Sequence, residues 1–370
     1  MAPTRPEKGA KDQKPLDPAL LIQLASAKLE EGDIETAYAA AQKALETTGE
    51  GGEHELISLN ILGQICVEAG EIEDACACFL RAVSLDEDGS VDESRGGGPE
   101  KFLWLAQLSD NGGQESVAWF ERGAMSLRGQ IQQLADLPRR TAEQEALLEE
   151  RKRKLAGTLC GVAEVYMTDL SWEADAEQRC EALVTEATMV APSLAETWQT
   201  VANVRISQQK MEEARAALSR SLELWKDLPP QHADVPDFPT RVSLARLLLE
   251  TEMEPESMEV LHRLVSDDDE SVEAWYLGGW SQFISGEKAK EEGKPEDEWT
   301  ATWRSAQKWL TRCRKLFAAQ EYEDERLGAH AQELLEGIDK QIGPLPKGQE
   351  DEDDEWEEED GSDEDEQMAG

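Results

Sequence analysis

The chain has 370 residues and carries 80 acidic side chains against 37 basic ones, a formal charge of −43. That imbalance excludes a protein whose main task is to hold nucleic acid or an anionic membrane, because phosphate would be repelled on approach, and it makes a basic partner the natural complement. No apolar stretch approaches the roughly 20 residues of a membrane span, Met1 to Pro18 has no signal-peptide core, and six cysteines without a regular framework suit a reducing compartment.

In chain order, residues 1–17 hold Pro3, Pro6 and Pro15 among mixed charges and predict a flexible segment. From residue 18 to 342 nearly every stretch repeats apolar residues at three- and four-residue spacing, is rich in Ala, Leu and Glu, and shows no alternating strand pattern. The prediction is all-α. Leu21, Leu24, Ala25, Gly32, Ala37, Ala41 and Ala44 make a first helix pair, and Leu59, Leu62, Gly63, Gly70, Ala75, Phe79 and Ala82 a second. Gly96 to Gly98 with Pro99 predict a flexible linker. A third unit follows with Phe102, Leu105 and Ala106 and a displaced second helix, Ser116 to Leu127. The fourth carries an insertion around Asp169 to Asp175 before Val184, Ala187 and Pro192, and the fifth has Trp198, Val201, Ala202, Ala214, Leu218 and Ser221. The sixth starts near Phe238 with Leu244, Ala245, Leu248 and Leu261. A step of 34 residues leads to the seventh, with Trp275, Gly279 and Gly286; it breaks over Glu287 to Glu298 and resumes as Trp303 to Phe317. Glu325 to Ile342 predicts a capping helix before Gly343 and Pro344. The remainder, 343–370, is an acidic tail expected to be disordered: Gln349 to Gly370 holds 14 acids, no base and one aromatic, Trp356. Without those residues 66 acids still face 37 bases, so the folded body is acidic too.

Small residues where two helices touch and a bulky residue between neighbouring units, in register over several units, resemble the tetratricopeptide repeat. About seven degenerate repeats then imply a right-handed superhelical solenoid whose first helices line a concave channel. Projecting the repeat onto the chain puts Asn60, Gln64 and Glu68 in that channel, then Gln107 and Asp110, with Glu100 beside them, then Glu164 and Asp169. Glu196, Gln199 and Asn203 follow, and after them Glu250, Glu273, Tyr276 and Trp280, with Phe283 beyond. Carboxylates accept bidentate hydrogen bonds from guanidinium groups, amides bond extended backbone, and aromatic faces take cations. Each acid alone is an ordinary solvated helix position; the set is notable because Lys and Arg are nearly absent from it, Arg246 being the exception. Chaperone-binding tetratricopeptide domains hold acidic C-termini with a clamp of Lys, Arg and Asn, and these positions are acidic or neutral.

Nothing marks an enzyme. Cys76 and Cys78 point apart on one helix, Cys66, Cys160 and Cys180 occupy packing positions, and His54, His232, His262 and His330 are scattered without a partner at a recognisable spacing. The sequence predicts no cofactor and no metal. Trp104, Trp119, Trp198, Trp275 and Trp309 fall where repeats pack. One basic island, Arg139 and Arg140 followed after ten residues by Arg151, Lys152, Arg153 and Lys154, has the spacing of a two-part nuclear import signal, whose reader would be importin. The bland reading is a charged helix face with Glu143, Glu145, Glu149 and Glu150 as partners.

The repeats, the stretch Tyr166-Met167-Thr168-Asp169-Leu170-Ser171-Trp172 and the acidic tail with Trp356 together resemble the fungal dedicated assembly chaperones of large-subunit ribosomal protein L-four. The resemblance spans residues 16 to 366. It implies a chaperone that captures the long internal loop of newly made L-four, keeps that basic protein soluble, and delivers it to the pre-60S particle in the nucleus. It also implies a monomer in a one-to-one complex with its client, shared between cytoplasm and nucleus. An acidic histone-type chaperone and a tetratricopeptide scaffold of a larger complex remain as alternatives; competition between histones and a ribosomal loop, and weak sensitivity to salt, would separate them.

Overall fold

A computed structural model describes residues 17–109 and 111–345. Among them are fifteen α-helices, one short 3-10 turn at Glu93–Arg95 and no strand. The chain divides into two compact units, one ending at Gln208 and the other starting at Gln209.

The N-terminal unit pairs α1 (Pro18–Glu30) with α2 (Ile34–Thr48), α3 (Glu55–Glu68) with α4 (Ile72–Leu85), α5 (Glu100–Gln107) with α6 (Gly113–Ala135) and α7 (Ala142–Met167) with α8 (Ala176–Val190), and it closes with α9 (Ala195–Ser207). The C-terminal unit starts with α10 (Met211–Glu223). It then pairs α11 (Phe238–Glu250) with α12 (Glu254–Asp267) and α13 (Val272–Glu291) with α14 (Glu296–Ala319), and ends in α15 (Glu325–Ile342). The division falls inside the fifth predicted repeat. The capping helix has the predicted bounds.

Local chemistry explains the ends. The carboxylates of Asp17, Asp33 and Asp237 and the hydroxyl of Ser271 accept orphan N–H groups at the starts of α1, α2, α11 and α13, and Thr141 with Gln144 forms a capping box on α7. The turns between paired helices share one device. At Gly32, Gly70 and Gly293 a left-handed residue (φ 74–77°) follows the first helix, and the next N–H reaches back to a carbonyl of its last turn. The α11–α12 turn makes the same bonds, Met253 N to Leu248 O at 2.8 Å, but the left-handed residue is Glu252, φ 61°. A side chain there is strained, and its ion pair with Arg215 is solvent-exposed and worth little. Glu252→Gly is therefore expected to stabilise the C-terminal unit by about 1 kcal/mol, seen as a higher midpoint in urea; a lower midpoint would contradict it.

The core is a row of inter-helix layers. Phe79, Ala75, Leu62 and Ile65 meet Phe102 and Leu105 across α3 to α5, and Leu155, Leu159 and Ala187 fill the α6–α8 layer. In the C-terminal unit Trp303 and Trp309 are buried between α13 and α14, and the Trp309 ring lies where any side chain on Gly278 would stand. Trp225 is fully buried beneath the Arg263 guanidinium, which also donates to the carbonyls of Trp225, Lys226 and Leu228 beyond the end of α10.

Three expectations change. Residues 96–99 are not a flexible linker. Gly96 and Gly98 are buried, Gly97 lies against the Val91 backbone with no room for a Cβ, and a buried ion pair, Lys101 Nζ to Asp86 Oδ2 at 2.6 Å, anchors the loop. Asp86 also accepts the N–H groups of Val91 and Gly98, and Lys101 donates to Gly98 O at 2.7 Å. The displaced helix is longer than Ser116 to Leu127: α6 has 23 residues and α7 has 26, both beyond ordinary repeat length. In the seventh repeat the polar stretch Glu287 to Glu298 is mostly helical, and the break narrows to residues 292–295.

Candidate functional site

First helices stack on first helices. In the N-terminal unit α1 touches α3 and α7 touches α9; in the C-terminal unit α11 touches α13 and α13 touches α15. Each first helix leaves a stripe at three- and four-residue spacing open or half-open to solvent. On α3 it holds Ile57, Asn60, Gln64 and Glu68, on α7 Arg153, Gly157, Gly161, Glu164 and Thr168, and on α11 Ser243, Arg246 and Glu250. Within each unit these stripes line one face of the stacked first helices, its inner wall.

Glu164 is the chemically distinctive acid on that wall. Its side chain is open to solvent, yet the mass of protein around it raises its pKa above the usual carboxylate value. Both conditions hold together on a concave surface, where water enters from one side only. Glu196, half-buried on α9, comes close to the same place: the charges of both carboxylates reach the Cys160 thiol, which burial pushes up to about 11. The neighbouring Thr200 and Thr197 hydroxyls partly oppose the rise. Gln199, 5% exposed, has an amide Nε2 without a hydrogen-bond partner, and Asn203 is half-buried one turn on.

The remaining candidates divide. Gln64 is half-buried, and Glu68, Gln107 and Glu250 are exposed and available. Asn60 is partly spent: its Nδ2 donates to Gly96 O at 2.5 Å, fixing the anchored loop, while its Oδ1 has no partner. Asp169 is a correction. Its carboxylate accepts the Gly113 N–H at 3.0 Å and sits at the start of α6, so the insertion after α7 clips onto the neighbouring helix pair. Asp110 and residues 346–370 of the tail, Trp356 among them, lie outside the described residues. In the C-terminal unit Glu273 pairs with Arg246, so the one cation of the set is neutralised by one of its acids. The Tyr276 hydroxyl meets His330 Nδ1 at 2.7 Å, and the His330 ring lies edge-on to Trp280, 5.8 Å between centroids, so these aromatics are held by α15. Phe283 stacks on Trp303.

Four of the six residues of the basic island are helical. Arg151 to Lys154 lie in mid-α7; Arg151 is buried against Glu93 and Glu150, Lys152 pairs with Glu149 at 2.7 Å, and Lys154 pairs with Glu100. Arg140 binds Glu145 at 2.8 Å and the carbonyls of Leu134 and Ala135, and Arg139 is exposed. Sequence reasoning missed the Lys101–Asp86 pair and the burial of Trp225, because neither residue type carries a periodic signal of its own. The thiols of Cys78 and Cys313 are pushed up to about 11 and about 12 by burial, so they carry no reactive thiolate. Among the described residues no cluster of His, Cys, Asp and Glu could hold a metal, and no helix is long and apolar enough to cross a membrane.

Helix pairs stacked first helix on first helix define a tetratricopeptide-repeat protein, and the tetratricopeptide-repeat model matches residues 57–88. Two relatives extend the likeness to most of the chain. A probable assembly chaperone of rpl4 from Emericella nidulans is 46% identical over 88% of this chain and 82% of its own length, and one from Schizosaccharomyces pombe is 32% identical over 81% and 85%. The solved structure of an assembly chaperone of RpL4, residues 1–338, is 58% identical, covers 75% of this chain and all of that one, and superposes with a TM-score of 0.70. The chain belongs to the family of assembly chaperones of rpl4.

Proposed function

We propose that the protein is a dedicated chaperone of ribosomal protein rpl4, holding a basic segment of that client on its acidic inner wall until the ribosome takes it. It acts by binding and catalyses no reaction. The carrying observation is the Glu164–Glu196 pair: two carboxylates on adjacent first helices, close to one buried thiol, on a surface open to solvent but enclosed by protein. Low local polarisability strengthens their attraction for guanidinium and ammonium groups, and neighbouring amides suit an extended backbone. A basic protein awaiting RNA needs such a surrogate, and RNA, more densely charged, can displace it. Co-expression tests this: rpl4 should remain soluble with the chain and precipitate without it, and excess histone should not displace it. Equal displacement by histone would favour a general acidic chaperone.

The raised pKa of Glu164 gives a pH signature. A basic ligand binds the ionised form, so affinity for the client loop should be complete above the raised pKa and fall as the pH drops through it. Glu164→Gln should lower affinity at neutral pH and remove the part of the profile that lies above the ordinary carboxylate range. An unchanged profile would remove Glu164 from the binding face.

We further propose a one-to-one complex that passes from cytoplasm to nucleus. The basic island is a weak import element, since importin reads extended chain and Arg151 to Lys154 are helical and paired. A client-binding-deficient form with all six basic residues changed to Ala should keep the nuclear share of the intact island. A clear loss would make the island an import signal.

A further inference from the structure

We propose a second docking site on the N-terminal unit, in a cleft beside the α6–α7 hairpin, for a basic segment of the client that also carries apolar side chains and lies outside the loop held on the inner wall. This rests on rpl4 being the client. The two long helices project past their neighbours, and residues 87–93 run beneath the overhang, tied to it by Arg122 to Glu87 O, Ser126 Oγ to Gly89 O at 3.0 Å and Gln130 to Glu93 at 3.1 Å. The space left between loop and hairpin is a cleft of about 640 Å³.

Its surface is of two kinds. Val91, Leu134, Leu137 and Leu147 line it only half-buried, and Met125, also lining it, is 68% exposed. Apolar side chains converge there with nothing among the described residues covering them, which marks an interaction surface. Along the rim stand Asp88 and Asp92, which form no ion pair among the described residues. Hydrogen bonds from Ser90 and Ser94 hold both carboxylates below the usual range, so they stay charged at any physiological pH. The Oε1 of Gln130 lacks a donor. The one cation of the lining, Arg151, is already bound by Glu93 and Glu150. An acidic, acceptor-rich rim over an apolar floor complements a segment with Lys or Arg beside Leu, Ile or Phe, and repels an acidic one. Two separate contacts on one client would also raise its avidity beyond that of the loop alone.

Met125→Glu tests this at an exposed position where the fold has little to lose. The probes are full-length rpl4 and a synthetic peptide of its internal loop, titrated against the whole chain. The expected result is at least a tenfold loss of affinity for full-length rpl4, with the loop peptide and the helical content unchanged. Asp88→Lys with Asp92→Lys should show the same split. Unchanged affinity for full-length rpl4, or equal losses for both probes, would overturn the site. So would a dimer of the unmodified chain that Met125→Glu dissolves, because a second copy would then be the occupant. Failure of the unmodified chain to bind either probe would overturn the client assignment along with it, and so is distinguishable from failure of the cleft alone.

Discussion

Exchanging Glu164 and Glu196 for lysine should weaken binding of the rpl4 loop by a hundredfold or more while far-ultraviolet circular dichroism stays the same. Each substitution removes an attraction and creates a like-charge contact with a basic ligand on a surface that water reaches from one side only, where such contacts cost several kcal/mol. About 3 kcal/mol already corresponds to a hundredfold. The fold should tolerate both changes, since Glu164 is open to solvent, Glu196 is half-buried, and no ion pair to either is seen among the described residues. Exchanging the exposed Glu250 in the other unit alone should do far less, because it reverses one acid instead of two. Titration calorimetry at two salt concentrations would measure this. Unchanged affinity in the double variant would move the binding face elsewhere.

The second large effect is on stability. Lys101→Met should destabilise the N-terminal unit by about 3–5 kcal/mol, because it strands the Asp86 carboxylate in the core. Lys101 and Asp86 side chains are 0% and 1% exposed, and burial lowers the Lys101 pKa against the pull of Asp86. The loop they anchor also holds Asn60 through Gly96 O, so part of the inner wall should loosen with it. The midpoint of thermal unfolding should fall by roughly 10 °C. Asp86→Asn combined with Lys101→Met removes both charges and should regain part of the loss. Equal stability of the single variant and the original chain would show that the pair contributes little.

Patterning carried most of the architecture. Gly32 and Gly70, Leu59 and Leu62, Ala75 and Phe79 announced helix pairs because only an apolar stripe of helical period can be buried on both sides of a stack, and the helix bounds at Glu325 and Ile342 followed from cap residues alone. Repeat positions also let Glu164 and Glu196 be named as inward-facing candidates before any coordinates. Charge state and partnership were not. Asp169 was expected to face a ligand and instead binds the Gly113 N–H, 56 residues away, and Arg246, the one base among the expected channel positions, pairs with Glu273. The glycine run at 96–98 suggested slack chain, whereas packing against Ile57 and Val91 demands residues without a Cβ. A hydrophobic period is local, one turn informing the next, and therefore survives in the sequence. Hydrogen bonds and ion pairs between distant residues depend on distances that only the folded stack sets, so the tertiary structure alone decided which acids remain available to a partner.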